Sequence, residues 1–250
     1  MQKTLSTYLN LCTEVYDLSK PNAPVDAYNF YRDYARQTQG KILEPMCGTG
    51  RFLLPLIEEG FDVQGFDASG HMLDALRNKA KQKNLLPGVW QGFIEDLKRP
   101  EKYNLIFIPS GSFGLITEQA AVKNALKIFY NHLNDDGIFL FEGETHKSVP
   151  TLDVWRGSQW KRPDGKTILL SICANLEGNI CSTICKYELV DKNNIIHTEI
   201  EDFVVRLYEP DELISLLQEA GFNSIRTIKA FDKTQGPDKN DESIVYECRK

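Results

Sequence analysis

No stretch of this 250-residue chain comes near the roughly 18 consecutive apolar residues that span a bilayer. The apolar runs are short, residues 138–141 among them. The first residues do not read as a secretory leader either. Residues 1–15 include Lys3 but no continuous apolar core before Glu14 and no small-residue cleavage site. The expected setting is the cytoplasm, away from any membrane. A basic excess is also absent: Lys plus Arg number 29 against 35 Asp plus Glu, a net charge of −6. Coating a nucleic acid needs the opposite sign, to neutralise phosphates. The six cysteines form no CxxC pair, and Cys181 and Cys185 stand four apart with no partners at zinc-like spacing. They read as free, mostly buried thiols, with no metal. Internal repeats and low-complexity segments are lacking too.

What remains is ordinary for a folded chain: 42% hydrophobic, 26% charged and 10% aromatic residues, which excludes disorder for most of its length. The length suits one domain, or one domain with an insertion. Residues 1–39 read as helical and aromatic-rich, broken by the Lys20-Pro21-Asn22-Ala23-Pro24 stretch. Strands then alternate with helices. Strands are expected at 41–44, 61–66, 89–93, 103–108 and 138–142, and helices at 51–59, 71–83 and 118–132. Asn134-Asp135-Asp136-Gly137 reads as a turn. Alternation at this spacing implies a doubly wound, mostly parallel α/β sheet with its strand C-termini along one ligand-binding rim. Past residue 150 the pattern changes. Residues 150–208 carry β-branched and aromatic segments separated by Pro163-Asp164-Gly165, Glu177-Gly178-Asn179 and Asp191-Lys192-Asn193-Asn194, an antiparallel meander. A helix opened by Glu209-Pro210 and two closing strands, seven in the main sheet altogether, return to the core.

The most informative segment is Glu44-Pro45-Met46-Cys47-Gly48-Thr49-Gly50, a glycine turn between strand and helix. Such a turn brings backbone close to a ligand and aims helix N–H groups at it. It is not the dinucleotide fingerprint GxGxxG, because position 53 is Leu53. Three further pieces follow in order: Gly65-Phe66-Asp67-Ala68-Ser69, then Gly92-Phe93-Ile94-Glu95-Asp96-Leu97, then 103–113 with its Ser-Phe-Gly turn. Together these four pieces resemble the class I S-adenosylmethionine-dependent methyltransferases, over about 14–142 and more loosely after 209.

The resemblance implies a Rossmann-like methyltransferase fold with S-adenosyl-L-methionine as cofactor. It implies a helical lid at 1–39, a cofactor-binding core at 40–149, an antiparallel insertion at 150–208 and a return to the core at 209–250. Asp67, with Ala68 beside it, would accept hydrogen bonds from both ribose hydroxyls. Asp96 would accept from the adenine amino group, with Ile94, Glu95 and Leu97 around the ring and Met72 over its other face. Gly48 and Gly50 would let the backbone reach the methionine end, and Glu44 would hold its amino group. Arg51 would reach its carboxylate or be solvated. Tyr16 would cover that end as a lid aromatic, and Pro109 would border the site after the fourth strand. Cys47 reads as a small buried residue, not a nucleophile. The sequence departs from the family's commonest pattern at Met46, where glycine is usual, and so implies a slightly different backbone path there.

Methyl transfer from a sulfonium is an in-line displacement, in which alignment does most of the work. The implied reaction is transfer to nitrogen or oxygen of a small-molecule acceptor. A general base is optional; no residue is assigned to that role, and His146, just beyond the fifth strand, is the candidate named for it, with Glu142 and Glu144 also near the active rim. Phe113, His146, Trp155 and Arg156 are candidates for the acceptor pocket. The insertion strands are expected to cover that pocket or to pair two copies as a homodimer. Two alternatives stay open: methylation of a protein or RNA, with RNA disfavoured by the acidic balance, and cofactor binding without catalysis.

Overall fold

The computed structural model describes residues 5–250. The expectation for residues 1–39 thus includes four positions, Lys3 among them, that lie outside the described residues. Helices α1 (Asn10–Ser19) and α2 (Val25–Thr38) precede the alternating run. That run comprises β1 (Ile42–Pro45), α3 (Leu53–Glu58), β2 (Val63–Asp67), α4 (Gly70–Gln82), β3 (Gly88–Gln91), β4 (Tyr103–Ile108), α5 (Gln119–His132) and β5 (Leu133–Glu144). Strands β6 (Arg156–Lys161), β7 (Thr167–Glu177), β8 (Ile180–Asp191) and β9 (Asn194–Arg206) follow. Helix α6 (Pro210–Ala220), β10 (Ser224–Lys229) and β11 (Ser243–Arg249) close the chain.

The main sheet has seven strands in the order β10-β11-β5-β4-β1-β2-β3. Pairing is parallel from β5 through β3, and β11 runs antiparallel to both its neighbours. The strands are apolar on both faces because helices cover both. Leu105, Phe107 and Leu140 pack with Phe30, Tyr31 and Leu54 under α2 and α3. Ile106, Ile108, Phe139 and Phe141 point the other way, to Phe129 of α5 and Leu213 and Leu217 of α6. The period-2 alternation of strand side chains thus feeds two separate cores. Chain order reverses between β1 and β4, so a crevice opens outside the carboxyl ends of these strands, where ligands bind in such sheets.

The expected strands, helices and meander are present. One local detail differs. Residues 134–137 are not a turn before a strand but an irregular stretch inside β5, where pairing with β4 jumps from Tyr103↔Leu133 to Leu105↔Ile138. Asp135, Asp136 and Gly137 supply the flexible polar chain for that excursion, and strand pairing resumes on both sides of it.

Strands β6–β9 form a second sheet, entirely antiparallel, with β9 at one edge. Its inner face carries Ile168, Cys185 and Tyr187, and α1 lays Leu11, Cys12 and Val15 against them. The outer face leaves Ile184 and Ile200 exposed. Among the described residues no helix is long and apolar enough to cross a membrane.

Candidate functional site

A cavity of about 750 Å³ lies at the switch point, floored by the β1 and β2 ends and roofed by α1, residues 5–8 and the β9 edge. The backbone after β1 turns sharply. Met46, Gly48 and Gly50 have φ of 57°, 52° and 79°. Met46 therefore adopts the left-handed conformation that favours glycine, at a steric cost of about 1–2 kcal/mol. The glycine-type path is kept despite the side chain, contrary to the different path expected there. Gly48 lines the cavity, and a Cβ there would meet no atom within 4 Å. Gly50 serves packing instead: a Cβ there would lie 2.9 Å from Leu76 Cγ, and the residue faces away from the cavity.

Asp67 ends β2 beside this turn. Its Oδ2 accepts from Gly48 N at 2.8 Å and its Oδ1 from Ser69 N at 2.8 Å. Burial raises its pKa, while the N–H groups of Ser69, Gly48 and Ala68 pull it back. Glu44 lies beneath, only 2% exposed. Burial raises its pKa well above the usual carboxylate range, with Asp67 adding to the rise and Arg51 and Leu53 N–H opposing it. Two buried polar atoms here have no hydrogen-bond partner among the described residues: Glu44 Oε2, an acceptor, and Arg51 Nε, a donor. Arg51 otherwise donates from its terminal nitrogen to Ser110 Oγ at 3.0 Å and stacks 4.9 Å from the Tyr16 ring centroid. An unpaired acceptor and an unpaired donor in one site suit a zwitterionic head, whose ammonium and carboxylate would satisfy them. Cys47 is buried and its thiol pKa is pushed well up, so it is no nucleophile.

Ala68, Met72, Ile94 and Glu95 line the cavity, as do Tyr16 and Met46. Several other expected residues do not. Asp96 turns its carboxylate back on its own 3-10 turn, where it accepts from Phe93 N at 3.4 Å, and Leu97 is buried in the core beneath α5. Pro109 is buried just before Ser110 and outside the lining. Phe113 is fully buried, 4.5 Å from the Phe141 ring. His146 faces Glu209, with Nδ1 3.0 Å from Oε1, and stays outside the cavity. Trp155 is 60% exposed and, with Arg156, lies away from it. The apolar and aromatic character of Phe113 and Trp155 satisfied a pocket and a core or surface position equally well, so sequence could not separate them.

Residues that sequence reasoning missed include Tyr8, Lys20, Phe93, Ser110 and Ser112, and Asp202 to Val204 of β9. Tyr8 is placed by contacts far away in sequence. Glu201 accepts from Tyr8 N and Leu9 N at 2.8 Å each, and Glu199 accepts from Leu11 N at 2.7 Å. These carboxylates satisfy the first N–H groups of α1, which has no side-chain cap of its own. At the other end Asp17 accepts from Thr49 Oγ1 at 2.6 Å and Lys79 Nζ at 2.8 Å. The roof is thus strapped to the insertion on one side and to the core on the other. Glu201→Ala removes two hydrogen bonds to a charged group, each contributing about 1.5–3 kcal/mol. Amide exchange over residues 8–11 should then accelerate at least tenfold, with the main sheet unaffected; unchanged exchange there would show that the strap is not what holds α1.

Among the described residues no cluster of His, Cys, Asp or Glu is arranged to hold a metal ion. Residues 42–137 match the family described as "Methyltransferase domain". A protein of Geobacillus sp. (strain WCH70), named "Putative methyltransferase", is 25% identical, with 94% of this chain and 96% of that one covered. Among solved structures, an S-adenosylmethionine-dependent methyltransferase from Clostridium acetobutylicum ATCC 824 superposes with a TM-score of 0.78 at 19% identity, covering 94% of this chain and 96% of that one. The sugar N-methyltransferase KedS8 from Streptoalloteichus sp ATCC 53650 gives 0.77 at 15% identity, over 100% of this chain and 98% of that one. The matched domain, a relative similar along nearly its whole length, the order of the sheet and the turn after β1 together support a class I S-adenosylmethionine-dependent methyltransferase.

Proposed function

We propose that this enzyme methylates a nitrogen of a small molecule, and that the cavity under α1 is where it does so. Its cofactor, S-adenosyl-L-methionine, supplies an electrophilic methyl group on a sulfonium. Asp67 takes the ribose hydroxyls: each carboxylate oxygen already accepts one backbone N–H and keeps one further acceptor site. Ala68, Met72, Phe93 and Ile94 enclose the adenine, with the Met72 thioether against its face. The unpaired Glu44 Oε2 takes the ammonium of the methionine end, and Arg51 takes its carboxylate.

The acceptor end is lined by Lys20, Ser110, Ser112 and Glu144. The observation that carries the nitrogen reading is the kind of titratable group found there. Carboxylate and ammonium line this cavity, while the candidate imidazole, His146, is turned outward to Glu209. A neutral amine attacks with its own lone pair and needs no base for that step, whereas an alcohol usually needs a general base to take its proton. The name of the sugar N-methyltransferase above, whose fold this chain shares, is in keeping with such an acceptor.

The test is incubation of the full chain with methyl-labelled S-adenosyl-L-methionine and two matched compound sets, one of small amines and one of alcohols and phenols, read by mass spectrometry. Label should appear on amines. Label confined to the hydroxyl set would overturn the nitrogen reading.

A further inference from the structure

Glu144 is the last residue of β5 and reaches the cavity past Gly111. A Cβ at Gly111 would lie 2.5 Å from Glu144 Oε1, so only glycine leaves the carboxyl its place. The loop bearing Gly111 is itself fixed: Ser110 N donates to Glu142 Oε1 at 2.8 Å, and Tyr31 OH donates to the same oxygen at 2.8 Å. The main chain of Glu144 is pinned by Tyr208 N, which donates to its carbonyl at 3.0 Å. Yet the Glu144 carboxylate receives no hydrogen bond from the described residues, although burial raises its pKa. A half-buried, unpartnered carboxylate on a main chain held in place is suited to receive a donor from outside. Its neighbour Glu142 cannot do this, being buried and already occupied.

Lys20, the residue just after α1, also lines the cavity. Its Nζ lies 5.6 Å from the Tyr16 ring centroid. Burial and the Arg51 charge lower its pKa, and Glu144 opposes that. Lys20 and Glu144 feel each other's charge but are not within ion-pair distance, so space remains between them.

We propose that Glu144 anchors the acceptor's amino group and takes up its proton before methyl transfer. This rests on the nitrogen reading above. An amine enters as an ammonium at neutral pH, and Glu144 is the carboxylate it meets. Lys20 and Arg51 disfavour a third positive charge and so ease the proton off. The proton passes from the acceptor nitrogen to a Glu144 carboxylate oxygen. The freed lone pair forms the new nitrogen–carbon bond as the carbon–sulfur bond breaks, its electron pair staying on sulfur. The Glu144 carboxylic acid then releases its proton to water at the cavity mouth, one proton per methyl transferred. The other groups whose charge acts on Glu144 are Glu142 and Glu242, which raise its pKa, and Lys20, which lowers it; Cys181 also faces it.

Binding of two cofactor analogues tests the placement without knowledge of the acceptor. Sinefungin carries a primary amine where the transferable methyl would stand; S-adenosylhomocysteine carries nothing there. Calorimetry on the full chain should find sinefungin bound at least tenfold more tightly. Glu144→Gln should cut that preference at least fivefold, with S-adenosylhomocysteine affinity within twofold of wild type. Glu144→Asp should restore part of it. The wild-type preference should also weaken as pH falls and Glu144 protonates, while the Gln variant's should not. A preference untouched by Glu144→Gln, or an equal loss for both analogues, would overturn the proposal. Should the preference depend on Glu144 while only hydroxyl compounds are methylated, the nitrogen reading fails and the anchor's role as amine proton acceptor fails with it. Methylation of amines at wild-type rate by Glu144→Gln would overturn the proton-acceptor role alone.

Discussion

Asp67→Ala is expected to weaken S-adenosylhomocysteine binding by about a hundredfold or more. The carboxylate has four acceptor positions, and two are used by Gly48 N and Ser69 N at 2.8 Å each. The other two are those assigned to the ribose hydroxyls. Losing two charge-assisted hydrogen bonds at roughly 1.5–3 kcal/mol each gives about 3 kcal/mol at the least, and each 1.4 kcal/mol is about tenfold. The variant also leaves the two N–H groups unpaired and loosens the turn after β1. Asp67→Asn, which keeps one acceptor oxygen, should fall between the two. Titration calorimetry reads all three proteins, and an Asp67→Ala affinity equal to wild type would remove Asp67 from the ribose site. Because burial raises the Asp67 pKa, binding should also weaken in acid at a pH above the ordinary carboxylate range.

Glu44→Gln should act in opposite directions on the free and the bound protein. Glu44 is a buried carboxylate with one oxygen unpaired, and its pKa is raised well above the usual range. A raised carboxylate pKa means the folded state holds the proton more tightly than the unfolded state. Free-protein stability from this group is therefore lost as pH rises from the ordinary carboxylate range through the raised value. The amide carries no charge to desolvate, so at alkaline pH the variant should be more stable by about 1 kcal/mol or more, the least that leaving a buried group unsatisfied costs. That is a rise in melting temperature of at least about 2–4 °C, fading in acid. With S-adenosylhomocysteine present the order should reverse, since the ligand's ammonium has lost its counter-charge. Melting curves from pH 5 to 9, with and without ligand, read both signs. A variant less stable than wild type in the free form, or equally stabilised by ligand, would contradict the role given to Glu44.

Most of the fold could be read from the chain because local pattern and global architecture agree. Apolar strands bounded by turn residues, alternating with amphipathic helices, admit few topologies. That the turn at 44–50 and Asp67 reach the cavity was legible for the same reason, since their positions are fixed by their own loops. The rest of the site depends on contacts that span the chain. Tyr8 sits over the cavity because Glu201 holds its N–H from 193 residues away, a pairing with no local signature. Lys20 looked like part of a helix break and proved to be a cavity wall. Asp96 had the right spacing, but its short 3-10 turn draws the carboxylate back to Phe93 N. His146 followed a strand at the proper rim, yet side-chain direction turned it to Glu209. Spacing fixes which residues reach the rim; it does not fix where their side chains point.

The most direct test of the account is calorimetric titration of the full chain with S-adenosylhomocysteine and, separately, with NADH. The cavity lined by Arg51 and Asp67, with Glu44 beneath it, predicts one saturable site per chain for S-adenosylhomocysteine and no heat of binding for NADH. Saturable binding of NADH, with none of S-adenosylhomocysteine, would contradict it.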